Sequence, residues 1–170
     1  MDVRDQASQN LISSLEELTK LYRQLLEVVR KEREILLSAN LDELLACNES
    51  KETLLMKIKM ADLLRVKHAE ELAAVVGADK NDPRLLEIAK KAGGVLGDRL
   101  RAIHGALELV IQRTMELNRD NETYVQSALQ TLRGAMGDIK ETLGGKKTYG
   151  RKGTYKPGPD QTSNFVSKEA

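Results

Sequence analysis

From Leu11 onward, apolar residues recur at alternating spacings of four and three: Leu11, Leu15, Leu18, Tyr22, Leu25 and Val29, with Glu32 and Leu36 continuing the series. A strand would need a period of two. The four–three rhythm instead puts these side chains on one edge of a helix, as a coiled-coil-like seam. It predicts a helix over about residues 6–37. Composition agrees. The 41% of hydrophobic residues are mostly Leu, Ala, Ile and Val, with no Trp and one Phe, whereas sheets favour β-branched and aromatic side chains.

Ser38-Ala39-Asn40 interrupts the rhythm, and Asn40 followed by Glu43 has the spacing of a capping box. A second helix is expected through Leu41, Leu44, Leu45, Leu55, Ile58, Leu64, Leu72 and Val76, stopping at Gly77. Two helices of similar length joined by so short a turn should lie antiparallel. Residues 83–92 suit a short helix, with Pro83 at a permitted first-turn position. Gly93-Gly94 predicts a break, because each glycine inside a helix is unfavourable by ~1 kcal/mol relative to Ala.

The last helix, expected over residues 95–143, carries the same rhythm for longer: Leu107, Ile111, Thr114, Asn118, Asn121, Val125, Ala128, Leu132, Ala135 and Ile139. At ~1.5 Å per residue it would reach roughly 70 Å, against about 50 Å for the first helix. A hairpin of that length leaves the final turns, Ser127 to Leu143, without cover, so Leu129, Leu132, Met136, Ile139 and Leu143 should be exposed. The fold class is therefore all-α: a long antiparallel hairpin in a bundle of three to four helices, with an extended C-terminal helix. The expected organisation is a helical bundle over 1–143 and a flexible basic tail over 144–170, where Pro, Gly, Ser and Thr are scattered. The tail holds six Lys and Arg against Asp160 and Glu169, which leaves 21 basic and 24 acidic residues in the rest of a chain whose net charge is +1.

Chemistry finds little support. His68 and His104 have no second ligand at helical spacing, and Cys47, the only cysteine, has no local His and cannot form an internal disulfide. Adjacent pairs such as Glu16-Glu17 and Glu70-Glu71 diverge around a helix. Gly93, Gly94 and Gly97 lack the strand–turn–helix context of a phosphate loop. We expect a non-enzyme without metal or cofactor. A single cysteine, no apolar leader in "MDVRDQASQN" and no run of ~20 apolar residues suggest a cytoplasmic protein without stable membrane insertion.

Asn118 and Asn121 occupy seam positions. They either fix register within the bundle or mark where the seam turns from its own bundle to a partner. In the tail, Lys146, Lys147, Arg151, Lys152 and Lys156 would give only salt-sensitive nucleic-acid binding, so no nucleic-acid partner is assigned. Tyr149 and Tyr155, beside glycines, suit short anchors for a protein groove.

Three stretches carry a family resemblance: "ANLDELLACNESKETLL" (Ala39 to Leu55), "LNRDNETYVQSALQTLR" (Leu117 to Arg133) and "TYGRKG" (Thr148 to Gly153). In their order and spacing the chain resembles the FlgN-type flagellar export chaperones, which escort hook–filament junction proteins to the flagellar secretion apparatus. The resemblance implies a client-binding face drawn from Asn118, Asn121, Val125, Leu129, Leu132, Met136, Ile139 and Leu143, receiving amphipathic C-terminal helices of the clients. It also implies docking at the cytosolic domain of the export gate through Tyr149, Gly150 and Gly153. Arg151-Lys152 and the end "SNFVSKEA" depart from the family pattern, which leaves Tyr155 and Phe165 without a role. The alternative from another class is a structural coiled-coil protein whose last helix pairs with its own copy. Self-association of the free chain remains open at this level.

Overall fold

The computed structural model describes residues 2–144. Four helices account for nearly all of them: α1 (Val3–Ser38), α2 (Leu41–Val76), α3 (Leu85–Ala92) and α4 (Gly94–Leu143). The tail from residue 145, with Tyr149, Gly150, Gly153, Tyr155 and Phe165, lies outside the described residues. The described chain divides into two compact units, one ending at Asn121 and the other beginning at Glu122.

In the first unit, α1 is the central element. Leu11 and Leu15 are fully buried, and Leu18, Leu25 and Val29 follow them inward. Ala7, Ile12, Leu21, Leu26 and Ile35 are buried as well, so the apolar arc of α1 is wider than a single seam because it serves more than one neighbour. Glu32 is buried within that arc, as its place in the rhythm requires. The helix closes on Ala39, whose φ of 53° is left-handed. Asn40 opens α2 by accepting the Glu43 N–H on its side-chain oxygen at 3.3 Å, which satisfies one of the orphan donors of a first turn.

α2 returns antiparallel to α1. Cys47 lies against the Val28 carbonyl near the turn, and Glu71 and Val75 meet Gln6 and Asn10 at the far end. Its packing departs from expectation. Ile58 and Leu72 are buried, with Cys47, Leu54, Ala69 and Ala73, but Leu41, Leu45, Leu55 and Leu64 are exposed. The apolar residues of α2 are spread around the helix, and only one arc of them can face α1 and its neighbours.

Gly77 ends α2 with φ 72°, while its N–H and that of Ala78 both donate to the Ala73 carbonyl. This is a glycine-dependent C-terminal cap. α3 begins at Leu85, two residues beyond Pro83, not at Pro83 itself. Asp79 accepts from the Asn81 N–H and Asp82 accepts from Arg84 Nε, and such local side-chain bonds compete with a helical start. Ile88 and Ala89 of α3 are fully buried.

The expected break falls at Gly93 and Gly94, with φ of 64° and 51°. Up to Asn121, α4 then runs alongside α1 in the same direction. Arg4 donates to the Ala92 carbonyl at 2.7 Å, Arg99 pairs with Glu16 at 3.0 Å, and Asn121 reaches Val29. Gly97, Leu100, Leu107, Val110, Thr114 and Asn121 are the buried residues of α4, and Ile103, Ile111 and Leu117 pack half-buried beside them. No helix among the described residues is long and apolar enough to cross a membrane.

Candidate functional site

The seam of α4 changes character at Asn118 and Asn121. Asn121 is 3% exposed. Its Nδ2 donates to the Val29 carbonyl at 3.0 Å and to Glu32 Oε2 at 2.9 Å. Lys51 of α2 donates to both Glu32 oxygens, at 2.9 and 3.0 Å, and to Asn118 Oδ1 at 2.8 Å. One polar cluster thus joins α1, α2 and α4. A buried carboxylate is tolerable only when paired and hydrogen-bonded, and here the cation and the amide together supply both. Asn118 Oδ1 and Asn121 Nδ2 are engaged inside the bundle, while Asn121 Oδ1 is buried without a hydrogen-bond partner among the described residues. That geometry fits the register-fixing account of a polar seam position.

Cys47 lies beside this cluster. Burial, followed by the negative charge of Glu32, pushes its thiol above the usual range. A thiol kept neutral is a poor nucleophile, so nothing here resembles a catalytic cysteine. His104 approaches Glu108 at 3.7 Å, and His68 is half-buried on α2. Among the described residues no group of three or more His, Cys, Asp or Glu is placed to hold a metal ion.

The second unit presents a different surface. Between Glu122 and Leu143 no residue is buried. Val125, Leu129, Leu132, Met136, Ile139 and Leu143 are all exposed, from 37% at Val125 to 62% at Met136. At about 100° per residue these six fall within one arc of the helix, with Ala128 and Ala135 on its edge. Arg133 and Lys140 flank that arc on one side and Thr131 and Asp138 on the other. Of the eight positions implied for client contact, the structure therefore gathers six on one exposed apolar stripe and engages the two asparagines within the first unit. Tyr149, Gly150 and Gly153 lie outside the described residues.

Sequence reasoning did not find Lys51. The available signal was Glu32 itself, an acid in an apolar seam, which demands a cation from a neighbouring helix. Nor did it separate the inward from the outward leucines of α2.

The family model described as FlgN protein matches residues 1–157, nearly the whole chain. The chain belongs to the FlgN family. The match takes in all four helices and extends past Gly153. No curated protein and no solved structure matches the chain. Membership supports, at the level of the family, a flagellar export chaperone that interacts with components of flagellar export.

Proposed function

We propose that this FlgN-family protein is a cytoplasmic export chaperone that binds the amphipathic C-terminal helices of hook–filament junction proteins and delivers them to the export gate. The observation that supports it is the stripe of Val125, Leu129, Leu132, Met136, Ile139 and Leu143, apolar, helical and exposed along its whole length. A client helix would lay its own apolar face on this stripe, the helix-in-groove mode of recognition. Met136, unbranched and polarisable, adapts to clients of differing shape. Each large side chain buried contributes ~1.5–3 kcal/mol before ordering costs, which is enough for micromolar or tighter binding. Asn118 and Asn121 would mark the end of the client surface nearest the bundle. Docking at the cytosolic domain of the gate falls to Tyr149, with Gly150 and Gly153 letting the backbone approach closely.

The test is calorimetric titration of the full chain with the C-terminal segment of a junction protein. Leu132→Asp combined with Met136→Asp should lower affinity by at least about a hundredfold, since two buried apolar contacts become buried charges. Helicity by circular dichroism should be unchanged, because neither side chain is buried. Wild-type affinity in this variant would refute the client-site assignment. Tyr149→Ala should leave client binding intact and weaken capture of the gate's cytosolic domain; normal capture would remove Tyr149 from that role.

A further inference from the structure

The outer face of α2 carries a second apolar stripe that the client reading does not use. Met56, Met60 and Leu63 are exposed by 72%, 64% and 58%. Their spacing of four and three puts them on one arc, about 160° around the helix from the buried Leu54 and Ile58. Leu64, also exposed, widens the stripe on one side. One turn before Met56 the same arc holds Glu52, and one turn after Leu63 it holds Lys67, both exposed. Among the described residues neither Glu52 nor Lys67 makes an ion pair within the chain.

We propose that two copies of this chain pair antiparallel through the outer face of α2, with Met56 of each packing on Leu63 of the other and Glu52 of each facing Lys67 of the other. The order acid, apolar, apolar, apolar, base along one arc selects both the occupant and its direction. With a twofold axis between Lys59 and Met60, the antiparallel arrangement brings unlike charges together at both ends and apolar side chains together between them. A parallel pair would set Glu52 on Glu52 and Lys67 on Lys67. Flanking charges choose helix orientation in this way in coiled coils, and a twofold contact uses the same patch on both copies. Farther from the axis Glu49 would meet Glu70, and that like pair limits the extent of the contact. The interface is accordingly small, in the transient class below ~1,200 Å². It is independent of the α4 stripe and of the client reading.

Sedimentation of the full chain over a concentration series tests it. The wild type should show a concentration-dependent dimer. Glu52→Lys should raise the dimer dissociation constant about tenfold or more, because both ion pairs become repulsions. Glu52→Lys with Lys67→Glu should restore it to within about threefold of the wild type. Met60→Asp should leave only monomer, and Leu132→Asp with Met136→Asp should leave the dimer intact. A wild type that stays monomeric throughout the series would overturn the proposal. So would a dimer indifferent to Glu52→Lys and Met60→Asp, a double charge swap that fails to restore pairing, or a dimer lost with the α4 variant.

Discussion

A Cβ added at Gly97 would run into the carbonyl oxygen of Ala89, so the residue records how closely the start of α4 approaches α3. Backbone cannot yield as a flexible side chain can. Gly97→Ala should therefore destabilise by about 1–3 kcal/mol in urea unfolding. Gly105, on the same helix with nothing near its absent Cβ, is the control: Gly105→Ala should stabilise by up to ~1 kcal/mol. No sequence pattern distinguishes these two glycines, because the difference lies in a neighbouring helix. The Glu32–Lys51 pair is a second case. Lys51→Met leaves a buried carboxylate with only Asn121 to answer it, and should cost about 3 kcal/mol. Adding Glu32→Gln should recover much of that loss, and additive effects in the double-mutant cycle would show that the pair is not coupled. Cys47, buried with its thiol pushed up, should react with a thiol reagent far more slowly in the native chain than in urea. The thiolate fraction at any given pH falls as the pKa rises.

At the level of elements, the boundaries follow from local chemistry. Asn40 caps α2, and Asn40→Ala should lower the unfolding free energy by about 1 kcal/mol. Ala39 next to it is the one non-glycine residue with positive φ among those described, at 53°. A left-handed conformation costs a residue with a Cβ roughly 1–2 kcal/mol, so Ala39→Gly should raise the melting temperature despite the entropy it adds to the unfolded chain. A lower melting temperature would mean that the Ala39 side chain contributes contacts that outweigh the strain. These ends were legible in the sequence because caps and glycine terminators act within a few residues. The start of α3 was not. Pro83 permits a helix there, but the hydrogen bonds of Asp79 and Asp82 hold the preceding loop, and their outcome depends on backbone geometry that spacing does not convey.

Across the molecule, the buried side chains among the described residues all lie at or before Asn121. Backbone amides gain protection from the packing around them. Hydrogen exchange should therefore be slow along Leu11–Val29 of α1 and at Leu107–Thr114 of α4, and faster over residues 122–143, where an isolated helix is marginal in water. Client addition should slow the latter. Uniform protection along α4 before any client is added would contradict this reading. The helical class, the four elements, the break at Gly93-Gly94 and the exposed apolar stripe after Ser127 could all be derived from residue order. Helical period, caps and helix length are properties of neighbouring residues and of a fixed rise per residue. Tertiary structure alone decided which leucines of α2 turn inward, that Lys51 crosses to Glu32 and Asn118, and that Asn121 serves α1. Those choices depend on where another helix lies in space, and an apolar or polar side chain carries no mark of which neighbour will meet it.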